Sequence, residues 1–121
     1  GWDVLLTKEQ DEKLNTYYLP KLAKLPHIIV VDGIHIVHAD YYGVDYTTEE
    51  QILWGRSRID GKKNCTTIRN VKAVVCGHTP VKTKTWKQNV LYIDTGGWYD
   101  GGYFTVVSNQ EIDMLARQGP L

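Results

Sequence analysis

The chain has 121 residues, of which 42% are hydrophobic and 23% charged, and its fourteen basic side chains are balanced by fourteen acidic ones. That size and composition fit one globular domain over residues 1–121, with a core large enough to fold around. The charge balance gives no global field that would draw nucleic acid or an anionic membrane surface, and no apolar run approaches the length that spans a bilayer.

No opening segment reads as a secretory signal. Cys65 and Cys76 are too few for a disulfide framework, so both are expected as free thiols of a cytoplasmic protein. Thr7-Lys8-Glu9-Gln10 fits a capping box, and a helix through Tyr18 is expected after it. Pro20 should break or kink that helix, because it lacks the amide hydrogen an interior position donates. Lys21 to Lys24 forms a further turn, closed by Pro26.

His27 to Val31 and Ile34 to Ala39 are β-rich runs separated by Asp32-Gly33, a strong hairpin signal because a type I′ turn needs positive φ at both central residues. Thr47-Thr48-Glu49-Glu50-Gln51 starts a second capped helix, with Ile52, Leu53 and Ile59 on its apolar face. Gly55 lies inside this helix or at a break in it. Ile68 to Cys76 leads into a buried strand with Gly77-His78-Thr79-Pro80 as its exit loop. Val81 to Trp86 and Val90 to Asp94 are strands joined by a turn at 87–89, Thr95-Gly96-Gly97 is a loop, and Tyr103 to Val107 is a last strand before a tail of little pattern. The order is that of an α+β fold: a mixed sheet with flanking helices.

Two histidines end apolar runs 40 residues apart, His38 in Ile34-His35-Ile36-Val37-His38-Ala39-Asp40-Tyr41 and His78 in Ala73-Val74-Val75-Cys76-Gly77-His78. A histidine where a buried strand gives way to a loop aims its imidazole at a cleft, and neutral imidazole is the commonest metal ligand among side chains. Taken singly, such a histidine is more often structural, Arg56 is more often a solvated helix residue, and Asp94-Thr95-Gly96-Gly97 is more often a tight turn. Their order changes the weighing.

His38-Ala39-Asp40-Tyr41, then Ile52-Leu53-Trp54-Gly55-Arg56-Ser57-Arg58-Ile59, then Cys76-Gly77-His78-Thr79-Pro80, then Leu91-Tyr92-Ile93-Asp94-Thr95-Gly96, closely resembles the calcineurin-like metallophosphoesterases. The resemblance is closest to the phage-lambda type of bacterial serine/threonine protein phosphatase and runs from about His27 to Val107. It implies a partial β-sandwich with a two-metal centre at its edge, of which His38 and His78 ligate one ion, manganese in many members and iron with zinc or another divalent ion in others. It implies that Arg56 binds the substrate phosphate, a role suited to a planar fork that meets two oxygens at once and keeps its charge at any working pH. The metals polarise the phosphoryl group and activate the attacking water. Substrates would be phosphorylated proteins or small phosphate esters.

Pro80 stands where many phosphodiesterase relatives carry a second histidine, which points to the protein-phosphatase and diadenosine-polyphosphatase branch. His27 and His35 match no motif and read as structural or surface residues. The family's Asp-x-His, Gly-Asp-x-x-Asp-Arg-Gly and Gly-Asn-His-Glu blocks are absent, and ahead of His27 stand only Asp3, Asp11 and a charged helix. The chain therefore reads as the C-terminal half of such a domain, inactive alone. Two imidazoles without carboxylates suit manganese poorly, since it prefers oxygen donors, and suit zinc, nickel or copper better. The missing N-terminal half or a second copy would cover the apolar faces and strand edges left open. The competing readings are a self-associating or partner-binding module, and a diadenosine-polyphosphatase-like nucleotide hydrolase with residues 40–46 at its substrate rim.

Overall fold

Ala73–Cys76 is a continuous apolar run, and a strand of that kind is stable only where both of its faces are covered. The computed structural model describes residues 5–62 and 65–119, and in it this strand, β3, is buried at all four positions. The readings that involve Asp3 and the 63–64 part of the polar loop before Cys65 lie outside the described residues. Around β3 the sheet is built from β1 (Ile29–Val31), β2 (Ile34–Ile36), β4 (Thr85–Lys87) and β5 (Val90–Tyr92), in the order β1-β2-β3-β5-β4. β2, β3 and β5 run parallel, while β1 and β4 are antiparallel edges.

The register sorts the side chains by alternation. Val37, Tyr41, Ile68, Val74, Cys76, Val90 and Tyr92 form one core, and Ile34, Ala73, Val75, Trp86, Leu91 and Ile112 form the other. Asp32 and Gly33 take φ values of 51° and 79°, as the β1–β2 hairpin requires. Cys65 and Cys76 are both free thiols.

The first helical segment starts on the expected capping box between Thr7 and Gln10 as α1 (Lys8–Lys13), widens to a π-helical stretch over Leu14–Tyr18, and ends as α2 (Leu19–Leu22). The Leu19 N–H reaches back five residues to the Leu14 carbonyl. Pro20 accounts for the widening: its ring would collide with the carbonyl four residues earlier in a regular helix, so the chain bulges rather than breaks. The second capping box, between Thr48 and Gln51, opens α3 (Glu49–Trp54).

Several boundaries differ from the sequence reading. α3 stops at Trp54, so Ile59 is not part of it; of the two readings of Gly55 the break is the one found, with the residue extended (ψ 145°). In that conformation a Cβ at position 55 would stand 2.6 Å from the Gln51 carbonyl oxygen and 2.7 Å from Asp40 Cβ, so the position favours glycine. β2 ends at Ile36, so His38 lies in the loop beyond it, although the Val37 N–H still bonds to the Val75 carbonyl at 3.0 Å. Residues 103–107 are not a strand: Tyr103 makes a single bridge to Gly96, and Phe104 and Val106 are exposed. The tail instead forms the longest helix, α4 (Asn109–Gln118), capped by Ser108 and seated on the second core through Ile112. Lys72 and Lys84 clip it in place through Asp113 and Glu111. No described helix is long and apolar enough to cross a membrane.

Gly55→Ala should lower stability by about 1–3 kcal/mol in urea unfolding, because the backbone angles suit alanine but the methyl group has no room. A cost near zero would mean that α3 and the Asp40 loop are not in this close contact.

Candidate functional site

Three parallel neighbours deliver their C-terminal ends to one edge of a sheet, and in open α/β sheets ligands bind at that edge. Here the edge collects the loops after β2, β3 and β5, which carry His38, His78 and Asp94. Backbone bonds tie the loops together. The Gly77 N–H donates to the His38 carbonyl at 2.9 Å, the Val81 N–H to the Asp94 carbonyl at 2.8 Å, and the Ala39 N–H to the Ile52 carbonyl of α3 at 2.8 Å.

The two histidines expected to act together are together. Their ring centroids are 5.0 Å apart at 57°. Trp54, at the end of α3 and 68% exposed, sets its ring edge-on to His78, 5.7 Å away at 88°. The sequence gives Trp54 no role of its own beyond its place in the Ile52–Ile59 block. His78 itself has φ +65°, the left-handed region that side chains other than glycine adopt at a cost. Such strain held at a loop between buried strands is a mark of functional positions.

The electrostatics favour a neutral imidazole at position 38. Burial pushes its pKa below the ordinary 6.5, the neighbouring His78 pushes the same way, and Asp94 opposes both. Arg56 stands two residues past Trp54 and is exposed. Its Nε lies 3.7 Å from Asp60 Oδ2, an exposed pair of the kind that contributes little and is readily exchanged for another anion. His27 lies 3.8 Å from Glu49 at the surface, and the His35 ring is 2.9 Å from the Tyr41 hydroxyl. A cavity of about 720 Å³ borders residues 41–46 and is lined also by Thr66, Arg69 and Asn70. Its lining includes neither site histidine, which separates that loop from the pair.

Could this edge hold a metal? Two adjacent imidazoles, at least one biased to the neutral form, supply half of a tetrahedral set. Among the described residues no group of three or more His, Cys, Asp or Glu side chains is arranged to hold an ion. At this edge the described residues bring together two imidazole rings and no larger donor cluster.

No protein-family profile matches the chain. Curated proteins do. A serine/threonine-protein phosphatase 2 of Salmonella typhimurium is 34% identical over 104 residues, covering 77% of this chain and 48% of that protein. A serine/threonine-protein phosphatase 1 of the same organism is 31% identical over 118 residues, covering 90% of this chain and 53% of that protein. The chain is a relative of the bacterial serine/threonine-protein phosphatases. It spans about half the length of these phosphatase relatives, and its five-stranded mixed sheet is consistent with part of an α+β phosphoesterase fold.

Two outcomes are expected from the geometry of the edge. His78→Gly should be more stable than His78→Ala by about 1 kcal/mol, since only the glycine relieves the left-handed backbone; equal unfolding midpoints would contradict the strain. For His38 the unfolded chain takes up a proton near pH 6.5 while the folded chain resists it. The stability attached to this group is therefore complete above that value and declines as the pH falls below it. His38→Asn should flatten the acid side of a urea-midpoint profile, and an unchanged slope would show that His38 does not contribute to it.

Proposed function

We propose that the chain forms one part of a metal-dependent phosphomonoesterase of the serine/threonine protein phosphatase type. The observation that carries the reading is the pair of facing imidazoles, His38 and His78, at the C-terminal edge of three parallel strands in a relative of phosphatases. In this reading both imidazoles are ligands of one divalent ion, manganese in the assembled enzyme, where the complete site holds two. The metal centre supplies Lewis-acid polarisation of the phosphoryl group.

The chain's own residues do the rest. Arg56 exchanges its surface pairing with Asp60 for two oxygens of the substrate phosphate, and the fork geometry orients that group. The Trp54 edge restrains the His78 ring, so the donor nitrogen does not rotate away. The substrate is a phosphorylated protein or a small phosphate ester, and no nucleic acid or membrane is a partner. Residues 1–121 act as the C-terminal part of a calcineurin-like domain in the cytoplasm. The remaining ligands come from the N-terminal half of such a domain, which is why the chain alone does not turn over.

A second reading has its own support. Ile29, Val30 and Val31 of the edge strand β1 are all exposed, as are Leu19, Leu22 and Leu25 of the segment before it. A flat apolar edge of this kind pairs readily with another chain. The chain would then be a self-associating or partner-binding module, whose oligomeric state is indifferent to metal.

The deciding experiment is hydrolysis of p-nitrophenyl phosphate in manganese. The chain alone should show no turnover, and adding an N-terminal half from a related phosphatase should restore it in a His38- and His78-dependent way. Arg56→Ala should cut kcat/KM by about 100-fold or more with metal retained, and Arg56→Lys should recover little of it. Metal loss in Arg56→Ala would overturn its role. Turnover by the chain alone that required His78 would overturn the half-site. A dimer unchanged by manganese, with no reconstitution, would favour the second reading.

A further inference from the structure

Asp40 and Arg58 are each 2% exposed, the most deeply buried charges among the described residues. Asp40 follows His38 by two residues, and Arg58 follows Arg56 by two. We infer that this buried pair is a positioning device that sets Arg56 in register with the histidine edge, an inference that rests on the phosphate-binding role proposed for Arg56.

The hydrogen bonds are those of a cross-brace. Asp40 Oδ1 accepts the Tyr41 N–H at 2.9 Å, while Oδ2 accepts the Tyr42 hydroxyl at 2.6 Å and the Arg58 N–H at 3.4 Å. The Arg58 Nε lies 4.0 Å from Asp40 Oδ1. The guanidinium donates from Nη1 to the Thr66 carbonyl at 2.7 Å and to Gln88 Oε1 at 2.8 Å, and from Nη2 to the Tyr41 carbonyl at 3.2 Å. Its plane also lies over the Tyr42 ring, 5.4 Å from the centroid.

The backbone between the two charges closes against them. The N–H groups of Ala39 and Asp40 donate to the carbonyls of Ile52 and Gln51. Gly55 leaves no space beside Asp40 for a methyl group. Residues 51–58 thus meet the Asp40 segment at Gln51, Ile52, Gly55 and Arg58, and the turn carrying Arg56 has one fixed end at α3 and another at Arg58. The Arg56 side chain has only an exposed pairing with Asp60, and its carbonyl accepts the Asp60 N–H at 2.9 Å, so its backbone is held between that turn and the brace. A buried ion pair seldom stabilises more than an apolar replacement of the same shape would, and its best-attested use is to specify one arrangement. Here that arrangement joins the segment bearing a site histidine to the segment bearing the arginine.

The test uses this chain with zinc bound and inorganic phosphate as probe, followed through the Arg56 Nε–H resonance by NMR. Three variants are compared: Arg58→Lys, the milder Tyr42→Phe, and Ile112→Val as a core change on the opposite face of the sheet. Arg58→Lys should weaken phosphate binding at Arg56 by about tenfold, and Tyr42→Phe by less, with zinc affinity unchanged and Ile112→Val without effect. If Arg58→Lys fails to fold, Tyr42→Phe carries the comparison. Unchanged phosphate affinity in the brace variants, or an equal loss in Ile112→Val, would overturn the positioning role. If the wild-type Arg56 resonance ignores phosphate, the phosphate reading fails instead. The brace is then judged by hydrogen exchange at the Ala39 and Asp40 amides, which should quicken about tenfold relative to Val74 in the brace variants. Exchange that stays uniform would overturn it.

Discussion

The parallel pairing of β2, β3 and β5 is the constraint on which the rest depends. Parallel strands point the same way, so the loops that leave them must leave at one edge, however far apart they stand in the chain. Val75 is held between Ile36 and Leu91, and from that shared register His38, His78 and Asp94 emerge as neighbours. An antiparallel arrangement would have sent one of them to the opposite end of the sheet. The short hydrogen bond from the Gly77 N–H to the His38 carbonyl continues the pairing into the loops, so the two imidazoles inherit the rigidity of the strands beneath them.

Around that edge the molecule holds costs that a purely stable fold would avoid. His78 sits in the left-handed region without being glycine, Trp54 is left in solvent, and a carboxylate and a guanidinium are taken out of water beneath the turn that bears Arg56. Each is unfavourable by itself. Left-handed backbone also occurs at the turn residues Asp32, Asn70 and Gln88, but His78 takes it beside the His38 ring, and strain held at such a place is a mark of functional positions. On the opposite face of the sheet Ile112 of α4 packs on apolar side chains, and half-exposed ion pairs hold the first half of the helix.

The uncovered apolar surface belongs to the same picture. β1 exposes three β-branched side chains in a row, and the helical segment ahead of it buries none of its residues. Monomeric proteins seldom leave surface like this open. This chain, which spans about half the length of the phosphatase relatives, brings two imidazoles together at one edge and leaves apolar side chains exposed at another.

Local chemistry was legible where it was decided by neighbours in sequence. Both capping boxes, the Asp32-Gly33 hairpin and the buried strand ending at Cys76 followed from residue type and spacing, because a cap or a tight turn is made within a few residues. The four blocks that resemble a metallophosphoesterase, and the pairing of His38 with His78, were also visible in order and flanks. α4 was missed, though Ser108 as cap and Ile112 and Leu115 on one face were signals for it. The strand expected over 103–107 failed because alternation and β-branching supply a surface but no partner, and only the fold decides whether a neighbour is there to bond. Tertiary structure decided between the two readings open for Gly55, and it places the break there, close against Asp40, 15 residues away. It also decided that Arg58, one charge among many in the sequence, is buried against Asp40. Sequence determines which groups exist and what each can do nearby; only the folded chain determines which distant groups share a low-dielectric space, and there a charge must find its partner.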